Sequence, residues 1–371
     1  MRKKPIKGMF ISPAVRSTSQ PAQMPFRRKP CCASTAARSR SPAAAAVQTQ
    51  HRQIRKGFAR LGYVGASERA ESLTGCRIHR HIRQRKRLKA GASLSLRGGT
   101  FSINSSDDSI HSNGTVTITG GTLSLKSGDD GVHAGDALLI EEGTIKISQS
   151  YEGLEGLSVT IAGGNIQLTA SDDGINSAGG SDTAKQGRPG QNQFIVSEDS
   201  EIFIKITGGT INVDAGGDGL DSNGNLFVEG GTIYITSSAD NGNGALDYEG
   251  AATITGGTIV AAGMSGMAQG FSDSSTQYSI LNNFSASLSS GDAIVLKDSG
   301  GKVLASYTPA KAYNSVVVSS PDLKKGETYT LSAGSQSESL TLSSVVTSNG
   351  SGGISGPIGG RGRQQPGGKD A

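Results

Sequence analysis

Ten residues after the start of six glycine-rich phrases stands an acid: Asp108, Asp130, Glu152, Asp173, Asp218 and Asp240. Asp107, Asp129 and Asp172 precede the column in three of these places and Tyr151 in a fourth. Three residues beyond it come His111, His133, Glu155, Asn176, Asp221 and Asn243. Carboxylates and side-chain amides are hard oxygen donors, and Ca²⁺ takes about six to eight such ligands. Carboxylates with Asn176 and Asn243 nearby form an oxygen set that disfavours zinc. The plainer reading is that Asp-Gly makes corners, Asp tolerating tight turns and Gly supplying positive φ. Glu152 and Glu155 keep the charge where Asp-type turn chemistry is lost, which corner formation does not explain. The sequence therefore carries both readings, and at least one Ca²⁺ site in the column is the expectation.

An acid that recurs at fixed spacing needs a scaffold that recurs with it. A Gly-Gly-Thr-apolar-x-apolar phrase begins at Gly98, Gly120, Glu142 (as EGTIKI), Gly163 (as GGNIQL), Gly208, Gly230 and Gly256. The intervals are 22, 22, 21, 45, 22 and 26 residues. The longest holds a Gly/Gln/Asp-rich stretch near 179–200 and reads as one coil with an extruded loop. Before the phrases lie alternating apolar pairs: Val116/Ile118, Leu138/Ile140, Val159/Ile161, Ile204/Ile206, Leu226/Val228 and Ala252/Ile254. Period 2 specifies strands. Strands this short cannot bury an apolar side alone, so equivalent strands must stack on their neighbours. The result is an all-β fold, a parallel β-helix of about 22-residue coils rising ~4.8 Å each.

Stacked coils stack their acids. Carboxylates ~5 Å apart at an effective dielectric of ~20 repel by about 3 kcal/mol, less once side chains splay and salt screens. The sequence shows no cation in the strip to offset this, unless His111 and His133 are protonated. Bound Ca²⁺ would offset it. Ile110, Val132, Leu154, Ile175 and Leu220, lying between the two polar columns, are expected to point into the core.

Charge divides the 371 residues in two. Residues 1–91 hold 22 Lys/Arg against two acids, whereas residues 92–371 hold 14 Lys/Arg against 29 acids and 48 of the 54 glycines. No run approaches the ~18 apolar residues of a membrane helix. The acidic part has no cysteine, so it is not a disulfide scaffold. Residues 92–272 read as the β-helix, 273–348 as a small antiparallel β cap and 349–371 as a disordered Gly-rich tail. Residues 1–91 show no phrase, no alternation and no apolar stretch of an export signal. They read as a segment out of frame upstream of about residue 92, with a disordered basic tail or a nucleic-acid-binding arm through HIRQRKRLK as the alternatives. No nucleic-acid partner is expected for the protein.

The phrases SDDGINSAGG, SYEGLEG, GGDGLDSNGNLFVEGGTIYI, NGNGALDYEG, MSGMAQ and SPDLKKGETYTL resemble a family of bacterial extracellular carbohydrate-binding domain proteins, best known from clostridia. The likeness runs from about Gly98 to Val346. It implies a right-handed parallel β-helix similar to pectate lyases, calcium held by coil carboxylates, binding of plant cell-wall polysaccharide including acidic polygalacturonate, and export to the cell surface. Asp172-Asp173, Glu152-Gly-Leu-Glu155, Asp218-Gly-Leu-Asp221 and Asp247 match the family's acids. Ser109 departs from the motif's Gly, which weakens a site at Asp107/Asp108.

Three functions compete. The first, calcium-dependent polysaccharide binding, has no Trp to stack on sugar and would rest on Tyr151, Tyr234 or Tyr248, with Lys126 beside the acidic column. The second, a calcium-dependent lyase, needs a base beside the metal, for which Lys126 stands without a partner arginine. The third is a structural adhesin, for which the solenoid alone suffices. Non-catalytic binding is the expectation.

Overall fold

The computed structural model describes residues 70–73, 76–78, 87–178 and 201–352, and all regular structure among them is β. The larger part is a solenoid of about seven turns with about 22 residues per turn. Each turn contributes one strand to each of three parallel faces. The first face stacks Leu88–Ala90, Ile110–Ser112, 132–134, 154–156, Ile175–Ser177, Leu220–Ser222 and Leu246–Tyr248. The second runs from Ala70–Leu73 through 93–96, 115–118, 138–140 and 158–161 to Phe203–Ile206, Asn225–Val228 and Ala252–Ile254. The third carries the Gly-Gly-Thr phrases, from Cys76–Ile78 to Thr258–Gly263.

The alternation seen in the sequence becomes columns of like side chains. Ile110, Val132, Leu154, Ile175, Leu220 and Leu246 form one buried ladder. Val116, Leu138, Val159, Ile204, Leu226 and Ala252 form another. Residue 175 pairs with both 154 and 220, so the 45-residue interval is a single turn. Its inserted stretch, 179–200, lies outside the described residues.

Two expectations change. The parallel ladder does not begin near residue 92: Ala70 pairs with Ser93, Cys76 with Gly99 and Leu88 with Ile110. This turn was hidden because Thr74-Gly75-Cys76 holds one glycine where the phrase has two, and a basic run replaces the acidic corner. Residues 70–73, 76–78 and 88–90 are thus paired into the ladder, while residues 1–69, 74–75 and 79–86, to which the out-of-frame reading also applies, lie outside the described residues. The second change concerns the corner glycines. Gly131, Gly153, Gly174 and Gly219 are absent from the positive-φ residues. A Cβ on Gly153 would lie 2.3 Å from the Gly174 carbonyl oxygen, and one on Gly219 2.4 Å from that of Ala245. Glycine is needed there because successive corners touch, not because the backbone is left-handed.

Beyond the last coil, the open edge of Thr258–Gly263 pairs antiparallel with Tyr313–Ser319, which pairs in turn with Ser279–Leu288. Val346–Asn349 adds a parallel strand outside that. A separate four-stranded antiparallel sheet completes the cap, in the order Val303–Tyr307, Ile294–Lys297, Thr328–Ala333, Gln336–Thr341. Covering the terminal edge blocks pairing with another chain. Lys311 ties the cap to the third face through Asp214 and the Ala215 carbonyl, and Tyr307 stacks on Tyr234 at 5.1 Å. Tyr234 is therefore part of the cap junction, not a sugar platform.

Gly257 and Gly301 share a φ of +85°, but a Cβ on Gly257 would lie 2.6 Å from the Gly230 carbonyl carbon, while none lies near Gly301. Gly301→Ala should cost about 1–2 kcal/mol, the left-handed penalty alone. Gly257→Ala should cost a further ~1–3 kcal/mol from overpacking. Urea unfolding of both variants reads the difference, and equal costs would mean that the coil contact carries no weight.

Candidate functional site

The acidic column lies at the corner leading into the first face, and hydrogen bonds from coil to coil define it. The Asp130 N–H donates to Asp108 Oδ1 at 3.1 Å, and Glu152 N–H to Asp130 Oδ1 at 3.3 Å. Asp218 N–H donates to Asp173 Oδ1 at 2.7 Å, and Gly244 N–H to Asp218 Oδ1. Each such carboxylate accepts the first amide of the next corner, a role that aspartate's short side chain suits. Glu152 breaks the chain: its longer side chain accepts instead from Asn176 Nδ2, at 2.9 Å.

Register corrects the end of the column. Leu246 pairs with Leu220, so Gly244 occupies the place of Asp218, and Asp247 that of Asp221. Asp240 and Asn243 fall in an inserted bulge instead. Asp240 is exposed and closes a local turn with Ser238, Gly242 and Asn243. Counting ten residues from the phrase fails here because this coil is 26 residues long. The neighbouring column is therefore Lys89, His111, His133, Glu155, Asn176, Asp221 and Asp247.

The upper strip is not devoid of cations, contrary to the sequence reading. Arg87 forms an ion pair with Asp107 and lies 3.8 Å from Asp108. His111 Nδ1 meets Asp108 Oδ2 at 2.7 Å, and its Nε2 meets Asn113 Oδ1 at 2.9 Å. Burial pushes the Asp108 carboxyl up, but the His111 contact and the donated amide outweigh it and hold it below the usual range. His133 stacks on His111, centroids 4.8 Å apart and 7° from parallel, and its Nδ1 faces Glu155 and Asp130. Asp107, Asp108 and Asp129 converge closely enough for a metal ion, but Arg87 already serves two of them.

The lower strip is different. Asp173, Asp218 and Asp221 bring carboxylate oxygens within 4.8 Å of one another. Among the described residues, no Lys, Arg or His pairs with these three, or with Asp172 or Asp247. Burial, then the charge of neighbouring acids, pushes Asp218 up to about 8 and Asp173 up to about 6, with Asp221 well above its ordinary value. Asp247 is raised by burial. Glu152 is pushed up to about 9 by burial, then by Glu155 and Asp130.

Two features fit a cation here. Asn176, 5% exposed, leaves its Oδ1 buried with no partner, an orphan that costs about 1–3 kcal/mol. Gly217 stands where earlier coils carry Asp107, Asp129, Tyr151 and Asp172. A Cβ there would lie 2.4 Å from Asp173 Oδ1 and 2.8 Å from Asp172 Oδ1, so glycine keeps open the cradle over which both carboxylates lean. Neither signal is readable before the coils are stacked.

The aromatic candidates separate. Tyr151 is 44% exposed beside this cradle, and Asp172 on the next coil pushes its hydroxyl above the usual phenol range. Tyr248 is half-buried against the core, its hydroxyl donating to the Gly270 carbonyl at 2.5 Å, so its polar end is committed to the fold. Lys126 is exposed at the end of a third-face strand, opposite Asn104.

Fold and strip together define a β-solenoid with a carboxylate ladder along one corner. Residues 66–131 and 129–323 match the family described as carbohydrate-binding domain-containing protein. The match spans well over half of the chain, and the chain belongs to that family. It begins upstream of residue 92, in agreement with the strand ladder. No curated protein and no solved structure matches the chain.

The raised carboxyls set a direction for pH. On leaving the ordinary carboxylate range, the unfolded chain releases its protons first, while the folded one holds them up to about pH 6 at Asp173, 8 at Asp218 and 9 at Glu152. Stability is then fully present below the unfolded value and is lost as pH rises. In chelator, the melting temperature should fall between about pH 5 and pH 9. Asp218→Asn, which keeps the acceptor for Gly244, should flatten that fall and raise the melting temperature at pH 8. A lower melting temperature for this variant at every pH would contradict the assignment.

Proposed function

We propose that the protein binds an acidic cell-wall polysaccharide through calcium held by the lower strip. Asp173, Asp218 and Asp221 would hold the ion, with Asn176 and Asp172 supplying further oxygens and Asp247 closing the far side. Bound calcium offsets the clustered charge and leaves coordination positions that carboxylates of a uronate polymer can fill. Tyr151 at the rim offers a ring face to a sugar. The observation that carries this reading is the convergence of three carboxylates beside an orphaned amide oxygen, with no cationic side chain paired to them among the described residues. Membership of a carbohydrate-binding family supports the polymer.

Binding without turnover is the better supported reading. A lyase needs a positioned base beside the metal, and among the described residues the arginine paired with the strip, Arg87, is engaged by Asp107 at the opposite end from the cradle. Such a binding surface suits an exported, cell-surface protein.

Chelator-treated protein should gain about 2.7 kcal/mol of stability when Ca²⁺ reaches a hundredfold excess over Kd. Retention on polygalacturonate should be lost in EGTA and fall at least tenfold in Asp218→Asn, judged against a free-energy scale of about 1.4 kcal/mol per tenfold. Asp298→Asn in the cap should behave as wild type. Chelator-independent retention on xylan or cellulose would move the binding surface away from the strip, and Tyr151→Ala would then test the rim.

A further inference from the structure

We infer that Asp130, His133 and Glu155 form a cation site of a different kind, for a borderline ion of the zinc class. It lies toward the other end of the strip from the proposed calcium cradle and stands whether or not that cradle binds calcium. Spacing alone places Asp130 and Glu155 among oxygen ligands for calcium, a set that disfavours zinc. His133 changes the chemistry, because imidazole suits zinc, copper, nickel and iron while Ca²⁺ keeps to oxygen.

The Asp130–His133 separation matches what such an ion needs, whereas the His133–Glu155 hydrogen bond must open to admit it. Tetrahedral Zn²⁺ bound to N and O donors at about 2.0–2.2 Å separates its ligand atoms by roughly 3.3 Å. His133 Nδ1 lies 3.4 Å from Asp130 Oδ2 and contacts Glu155 Oε2, and one donor atom from each of the three lies within 4.8 Å of the others. His133 and Asp130 are buried, and Glu155 is largely covered. Register fixes the arrangement: His133 and Glu155 are direct cross-strand partners, and Asp130 precedes His133 by three residues on the same coil.

The neighbouring histidine shows why this rung and not the one above. In the rung above, the Asp108 carboxylate that meets His111 also lies 3.8 Å from Arg87, so a cation already serves it. His111 instead positions the ligand, since its ring lies parallel to that of His133 and fixes the tilt of the imidazole. His133 would bind through Nδ1 as neutral imidazole with its proton on Nε2, and protons held among the three groups would be released on binding. Three protein ligands leave a fourth position for water or a sugar oxygen.

The competing reading is an imidazolium ion clasped by two carboxylates, with no metal. The full chain, stripped with chelator and then held in excess Ca²⁺ to fill oxygen-only sites, is titrated with Zn²⁺ by calorimetry and with Co²⁺ by visible absorption. Cys31, Cys32, Cys76, His51, His79 and His81 can also take zinc, so the readout is the difference between wild type and variants. His133→Gln and Glu155→Gln should each remove one class of Zn²⁺ site or weaken it at least about tenfold. They should also remove the same component of the Co²⁺ spectrum, while Asp218→Asn leaves both intact. Matching circular dichroism shows that the variants fold. Identical titrations for wild type, His133→Gln and Glu155→Gln, or displacement of Zn²⁺ by Ca²⁺ in wild type, would overturn the site in favour of the ion pair.

Discussion

Hydrogen bonding between successive coils is the constraint from which the rest of this molecule follows. Parallel strands sit ~4.8 Å apart, so whatever one coil places at a given position meets the same position of the next. For apolar residues this is wholly favourable. Ile118, Ile140, Ile161, Ile206, Val228 and Ile254 stack into a ladder sealed from water. At the corners it removes room for any side chain, so the glycines after the acids answer to a neighbouring carbonyl oxygen rather than to a φ requirement.

For charged residues the same stacking is costly, and the strip meets that cost in three ways. A carboxylate accepts the amide of the next corner, as Asp108, Asp130, Asp173 and Asp218 do. A cationic or imidazole side chain intervenes, as Arg87, His111 and His133 do in the upper coils. Where neither suffices, the carboxyls hold protons above their ordinary range, as around Asp173, Asp218 and Asp221. Perturbed carboxyls with a buried unpartnered oxygen are the features on which the proposed calcium site rests. The strip is thus graded, from neutralised at one end to charge-rich at the other.

The ends of the solenoid obey the same rule. A parallel stack has two open edges, and an edge of unpaired backbone groups invites association. The C-terminal one is closed by an antiparallel strand, which satisfies the edge while ending the repeat, and by a latch from Lys311 to the third-face strand two coils before the last. Family membership adds carbohydrate binding to a frame that is long, rigid and open along one corner.

Period and alternation in the sequence determined the solenoid, its coil length, the apolar ladders and the single-turn nature of the 45-residue interval, because strand stacking is a local pattern repeated. The same count placed Asp108, Asp130, Glu152, Asp173 and Asp218 in one column. It missed the paired strands at 70–73, 76–78 and 88–90, where the phrase is degenerate, and it misplaced Asp240 and Asn243, because an inserted bulge shifts the count but not the hydrogen-bonded register that puts Asp247 beside Asp221. Only the tertiary structure decided which acids are neutralised, since Arg87 reaches Asp107 from a coil that the sequence did not reveal. It alone also decided that Tyr248 is committed to Gly270 while Tyr151 is exposed, and that Gly217 opens a cradle. Spacing fixes which residues share a column; charge balance, burial and free volume belong to the contacts between columns, and those exist only once the chain has wound.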